Sequence, residues 1–362
     1  MRAGAKDASA PERELLLVDG SRHLDGYRGY LHRQVPANPV HPVDSYVLGS
    51  DFSYLADGDV VRIDPQRSSI HALFRRSSPF NSLLVTERCD NYCVMCSQPP
   101  KDHDDSWIID ELKQAIPLMS PDTPEIGITG GEPSLLGPKL IELVALLKVC
   151  LPTTSVHILS NGRNFADAAF AQALAEVAHP DLMLGVPLYS DLPEVHDYVV
   201  QARGAYDQTV RGILNLKQAG VAVELRFVIH KDTYEGIPAF ARFVTRNLLF
   251  VDHVALMGLE PIGFAKANID AIWIDPLDYA VELREAALML DRAGLRTSIY
   301  NHQLCVLPTE LHRLARASIS DWKNMYLDAC EGCSLRGKCG GFFASAVNRS
   351  SRGIAPIRAS AL

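Results

Sequence analysis

Cys89-Asp90-Asn91-Tyr92-Cys93-Val94-Met95-Cys96 stands directly behind a short apolar run, Leu83-Leu84-Val85, and this passage decides how the chain is read. The run predicts a strand and the cysteines a loop at its end. Three thiols at this spacing suit a [4Fe–4S] cluster, which takes four cysteine thiolates, with one ligand too few. The next cysteine, Cys150, ends an apolar stretch (146–151) that reads as the close of a helix, and it is most simply a buried apolar residue. A cluster held by three cysteines leaves one iron open to bind something else. The spacing alone also admits a zinc site short of a ligand, since zinc usually closes with four Cys or His, or a redox pair beside a bystander.

Working outward, the 362 residues are 47% hydrophobic and 22% charged, ordinary values for a globular chain. A net charge of −8 without basic runs argues against nucleic-acid binding, which draws on clustered Lys and Arg. The first 14 residues lack the apolar core of a secretory signal, and no apolar run approaches the roughly 18 residues of a membrane helix. The expectation is a cytoplasmic protein without membrane contact, in which cysteines serve metal or catalysis rather than disulfides. Seven of the eight cysteines fall within 89–96 and 305–339, and such grouping favours metal.

Between 122 and 301, β-type runs alternate with helical patterns. Strands are expected at 82–87, 125–129, 155–160, 182–188, 222–229 and 253–259. Helices are expected at 110–119, 138–151, 165–179, 206–219 and 237–248. Six right-handed repeats predict an α/β fold, an open partial (β/α)6 barrel rather than a closed eightfold one. Ahead of it, 59–64 and 69–74 read as a hairpin in a small β-rich leader, and Pro-rich 34–44 reads as loop. The expected division is a leader at 1–79, the barrel at 80–275, a cysteine-bearing region at 276–348 and a loose tail at 349–362.

The second strand runs into Thr129-Gly130-Gly131-Glu132-Pro133, where two glycines let backbone approach a ligand and a carboxylate can receive an ammonium group. The pair of motifs, C-x3-C-x2-C followed one βα unit later by GGEP, resembles the radical SAM enzymes. That resemblance implies a partial barrel, an open iron that chelates S-adenosylmethionine (SAM), and release of a 5′-deoxyadenosyl radical. It also implies that Gly130, Gly131, Glu132 and Pro133 bind the methionyl amino end. Met95 stands where the family often has an aromatic residue near the adenine, and 258–263 resembles the family's adenine-side loop. By position at strand ends, Ser160, Asn161 and Ser190 suit the ribose or the methionyl carboxylate. Arg226, among apolar neighbours, needs either a bound carboxylate or an internal partner such as Glu224. His157 and His253 read as buried or bridging histidines. Asp191 and Glu260 are candidate bases by position alone.

Past a further helix at 276–293 lie Cys305, Cys330, Cys333 and Cys339, spaced C-x24-C-x2-C-x5-C. Four thiols can ligate an auxiliary [4Fe–4S] cluster or a structural zinc. C-terminal clusters of SPASM or twitch type occur in radical SAM maturases, and the cysteines here suffice for one. Residues 80–100, 300–308, 318–324 and 339–343 resemble the C-type radical SAM maturase of the His-Xaa-Ser peptide system. This resemblance implies oxidative modification, such as crosslinking, of a ribosomal precursor peptide, a paired radical SAM maturase and an external electron donor. The competing readings are an enzyme acting on a small molecule or nucleoside, and a metal-stabilised scaffold without catalysis.

Overall fold

The computed structural model describes residues 2–3, 14–18, 27–35, 44–317, 325–346 and 349–358. Two sheets organise them. The first contains β1 (Arg2–Ala3), β2 (Glu14–Val18), β3 (Gly29–His32), β4 (Asp44–Val47), β5 (Val60–Asp64) and β6 (Ser69–Phe74). Its order is β4-β3-β2-β1-β5-β6, so β4 and β6 are its ends. The expected hairpin is present as the antiparallel pair β5–β6. The parallel strands β1–β4 beside it are a finding, since parallel pairing leaves no hairpin signature in sequence.

The second sheet is parallel throughout: β7 (Asn81–Leu84), β8 (Glu125–Thr129), β9 (Ser155–Leu159), β10 (Leu182–Pro187), β11 (Ala222–Ile229), β12 (His253–Gly258) and β13 (Thr297–Tyr300). Its linear order, β13 to β7, is that of an open partial barrel. The six expected strands are joined by a seventh, β13, which sequence reading left unassigned. Helices α1 (Trp107–Ala115), α2 (Pro138–Cys150), α3 (Ala168–Glu176), α4 (Pro193–Val200), α5 (Ala205–Gln218), α6 (Ile237–Asn247), α7 (Phe264–Ala267), α8 (Ile269–Ile272) and α9 (Ala280–Arg292) fill the crossovers and the return to β13. Among the described residues no helix is long and apolar enough to cross a membrane.

Strand alternation sets the layers. Ile126 and Ile128, Val156 and Ile158, Leu184 and Val186, and Val223, Leu225 and Phe227 are buried in one core with the helices. The matching helix stripes include Leu140, Leu143, Val144 and Leu147 of α2 and Phe240, Ala241 and Val244 of α6. Each such side chain contributes roughly 1.5–3 kcal/mol on burial. The intervening strand residues, among them Gly127, His157, Gly185, Glu224, His253 and Ser298, belong to the opposite face.

The tail expected to be loose is docked over 349–358. Arg349 pairs with Asp270 and Arg352 with Asp278. The Ser351 hydroxyl donates to Asp275 at 2.5 Å, and Ser334 N–H donates to the Ile357 carbonyl at 2.8 Å.

Three histidines are buried in neutral form. His196 and His230 each accept a backbone N–H at Nδ1, from Tyr189 and Asp232, and their Nε2 atoms are buried without a partner. His302 Nδ1 lies 2.8 Å from the Tyr300 carbonyl, so it carries the proton and Nε2 accepts the Tyr279 hydroxyl. Burial holds all three down at about 4. Their folded values lie below the ordinary 6.5, so the unfolded chain binds protons first as pH falls. Stability should therefore be full above about pH 6.5 and drop toward pH 4, by on the order of 2–3 kcal/mol per histidine. Urea midpoints at pH 7 and 4.5 test this, and equal midpoints would contradict it.

Candidate active site

The cysteine loop is tied down on every side. At its start, buried Asp105 accepts the Thr86 hydroxyl and Glu87 N–H, each at 2.6 Å, and Arg88 Nε at 3.2 Å. Burial pushes this carboxyl up, yet the donors outweigh it and hold it below the usual range. Beyond the first cysteine, Asn161 Nδ2 donates to Asp90 at 2.6 Å, and Arg163 donates to the Asp90 carbonyl and Asn91 Oδ1. Tyr92 and Val94 N–H groups donate to the carbonyls of Val200 and Val199, which close α4. Phe264 N–H donates to the Cys96 carbonyl at 2.8 Å. Gly263, at φ +58, makes that approach possible, because a Cβ there would lie 2.5 Å from the same oxygen.

Gly130 and Gly131 close the loop from the next strand. Gly131 N–H donates to the Thr86 carbonyl and Glu132 N–H to the Arg88 carbonyl, both at 2.8 Å. A Cβ on Gly130 would lie 2.2 Å from Thr86 O, and one on Gly131 2.1 Å from Arg88 O. Here the glycines admit the chain's own backbone, where sequence reading expected a ligand. Pro133 begins a one-turn helix, and Glu132 caps it by accepting Ser134 N–H at 2.9 Å. Glu132 was expected to meet an ammonium group, but it is 1% exposed and also accepts the Ser160 hydroxyl (2.7 Å) and Asn161 N–H (2.6 Å). A buried carboxylate requires such donors. Ser160 and Asn161 thereby link β9 to the cysteine loop.

Cys89, Cys93 and Cys96 are free and half-buried. Burial pushes Cys89 up to about 12 and raises Cys93 and Cys96, and Cys93 also feels the charges of Cys96 and Cys89. Three thiols close enough to repel one another, and costly to ionise alone, suit a cationic centre that binds thiolates. Among the described residues no three His, Cys, Asp or Glu side chains are gathered as a cage for one metal ion. A cubane differs in this respect, because each thiolate takes its own iron corner. The donor set fits the cluster.

Residues 83–244 match the Radical SAM superfamily. The match covers a little under half of the chain. The chain is 32% identical over 158 residues to an Fe-coproporphyrin III synthase of Methanosarcina barkeri, across 43% of this chain and 38% of that protein. Streptococcus suis SuiB bound to S-adenosylmethionine is 15% identical, covering 63% of this chain and 51% of that one, with a TM-score of 0.48. SuiB bound to its precursor peptide SuiA is 14% identical, covering 62% and 49%, with a TM-score of 0.46. The chain thus spans about 38% of the synthase and about half of SuiB.

Within the radical SAM domain the remaining expected residues separate. Met95 is buried with Tyr189, Val199 and Val200, so its thioether packs into protein. Ser190 is buried and accepts Leu192 N–H at 3.1 Å. Arg226 has the internal partner: its NH1 donates to Glu224 at 2.7 Å. Glu224 also meets His253 Nδ1 at 2.5 Å, and His253 Nε2 lies 2.9 Å from Ser298 Oγ. Burial pushes Glu224 up, but His253, Arg226 and His157 pull it down to about 2. The sequence displays the Glu224–Arg226 pair on β11, but His253 and Ser298 join it from β12 and β13 without a motif. Asp191 lends its carbonyl to the Tyr206 hydroxyl at 3.3 Å, and Glu260 lies in the loop after β12.

The second cysteine group follows β13. Burial raises Cys305, and Cys339 and Cys330 add to the rise, so these three thiols share one neighbourhood. The Ala355 N–H opposes that rise, placing the docked tail against Cys305. Cys333 lies one turn from Cys330, its N–H donating to the Cys330 carbonyl at 3.2 Å. The Tyr326 hydroxyl donates to the Cys339 carbonyl at 2.8 Å. Cys150 packs at the edge of the main core, apart from both groups. Residues 318–324 lie outside the described residues.

Proposed function

We propose that the chain is a radical SAM enzyme that oxidatively modifies a ribosomally made peptide. The observation that carries the radical SAM part is the docking of Gly130–Glu132 onto Thr86–Arg88, which joins the GGEP loop to the cysteine loop. Cys89, Cys93 and Cys96 would hold a [4Fe–4S] cluster, which would give one electron to the sulfonium of bound SAM, leaving methionine and a 5′-deoxyadenosyl radical. Gly130, Gly131, Glu132 and Pro133, with Ser160, Asn161 and Ser190, would frame SAM. In this reading the chain's own part is to orient the substrate and exclude water.

The peptide reading is supported by the resemblance to the His-Xaa-Ser maturase at 80–100, 300–308 and 339–343. It is also supported by an end strand, β4, whose residues are largely exposed, as strand addition of a peptide requires. Cys305, Cys330, Cys333 and Cys339 would hold an auxiliary [4Fe–4S] cluster that takes the substrate's second electron, with zinc as the alternative. A paired maturase and an external electron donor complete the scheme. The Methanosarcina relative is named for a small-molecule synthesis, which motivates a second reading with a small-molecule substrate.

Co-expression with a candidate precursor peptide and mass spectrometry decides between them. A loss of two hydrogens per event supports crosslinking, and an unchanged peptide contradicts the peptide reading. Iron near about eight per chain supports two clusters. About four iron with one zinc points to the zinc site.

A further inference from the structure

Between β6 and the inward faces of β7, β8 and β9 lies an open-mouthed cavity of about 300 Å³. Arg75, Ser82, Glu125, Gly127, His157 and Leu159 are among its lining residues. Gly127 keeps it open, since a Cβ there would lie 2.8 Å from Ser82 Oγ. At the inner wall, His157 Nε2 is buried without a hydrogen bond, 3.6 Å from Glu224 Oε1. Glu224 itself is committed to Arg226 and His253.

Glu125 is different. It is half-buried, and among the described residues no hydrogen bond or ion pair reaches its carboxylate. Burial raises its pKa, and the charges that act on it, Glu224 and Asp181, are both anionic and raise it further. The Arg75 guanidinium, which also lines the cavity, lies 4.8 Å over the Tyr54 ring and acts on Asp59 rather than on Glu125, and its Nε is buried without a hydrogen bond. A carboxylate held among other carboxylates and facing a cavity is a site that lacks its counter-charge. Its position adds a second constraint. Glu125 opens β8 and Thr129 closes it, leading into Gly130. At about 3.3 Å per residue the carboxylate's backbone stands roughly 16 Å below the glycine loop.

We propose that this cavity takes a cationic side chain of the substrate peptide, a primary ammonium or a guanidinium, paired by Glu125. The inference rests on the peptide reading above and names what that peptide carries. The bound cation sits remote from the glycine loop, so it anchors the peptide rather than reacting, and a neighbouring residue is presented to the radical.

The test uses the purified full-length chain without SAM, so it is independent of turnover. Binding of n-butylammonium and of butyrate is followed by calorimetry and by the His157 ring resonances. Butylammonium should bind and shift His157, butyrate should do neither, and Glu125→Gln should weaken butylammonium by about tenfold. Because Glu125 is repelled where it stands, Glu125→Gln should also leave the urea midpoint equal or higher. Equal butylammonium binding by wild type and Glu125→Gln, equal binding of butyrate, or a lowered midpoint in the variant would each overturn the proposal. Failure of the peptide reading is read separately, from the peptide's mass.

Discussion

Gly131→Ala should destabilise the chain by about 3 kcal/mol and abolish saturable SAM binding at concentrations that saturate wild type. The cause is space rather than backbone freedom. The new Cβ would stand 2.1 Å from the Arg88 carbonyl oxygen and 2.5 Å from its carbon. Those atoms cannot swing aside as a side-chain end would, because Arg88 O already accepts Glu132 N–H and Thr86 O accepts Gly131 N–H. Separating the two loops breaks both bonds and moves the residue beside Cys89. A control isolates this effect. Gly220 has φ +85 but open space where its Cβ would point, so Gly220→Ala should cost only about 1 kcal/mol and leave SAM binding intact. Urea midpoints and equilibrium binding of SAM measure both. Equal penalties in the two variants would contradict the close-packed arrangement of the loops.

The passage around Cys89 was legible because its chemistry is local. Spacing places the thiols on one loop, and the glycine pair one βα unit later marks the strand end that must meet it. The six barrel strands were legible from their apolar alternation, since each buries one face against helices. What escaped reading depends on distant partners. β13 is four residues long, and β12 lends it a partner only after the return through α9. The β1–β4 strands pair in parallel, an arrangement that carries no turn signature in sequence. Tail residues rich in Ser, Arg and Gly read as loose, yet Asp270, Asp275 and Asp278, more than 70 residues away, hold them. Glu132 is expected to receive an ammonium group, yet Ser134 N–H, the Ser160 hydroxyl and Asn161 N–H already donate to it. Burial demands such donors, and a sequence does not display them. Arg226 has the Glu224 partner that is one of its two expected readings. Gly263 was legible as part of a loop, though its task of admitting Cys96 O was not.

Cys93→Ala carries the other large effect. Cys93 is the middle thiol of the three, and it feels the charges of both Cys89 and Cys96. Removing it leaves two thiols for a cluster that already relies on three, so iron bound at this loop should be lost. The loop's backbone bonds, to Val199, Val200 and Asp105, do not involve the Cys93 side chain. The variant should therefore keep its fold, as judged by circular dichroism, and retain the iron or zinc of the second cysteine group. A chain that keeps all its iron after this change would contradict the assignment of the triad.

The central claim is that this loop and the glycine loop together cleave SAM, and 5′-deoxyadenosine is its direct product. The decisive measurement is anaerobic reconstitution with iron and sulfide, followed by dithionite and SAM, with 5′-deoxyadenosine quantified by chromatography. Wild type should form it, and Cys93→Ala should form at least about a thousandfold less, some 4 kcal/mol of lost barrier reduction. Equal formation by the two chains, or none by a fully reconstituted wild type, would contradict the account.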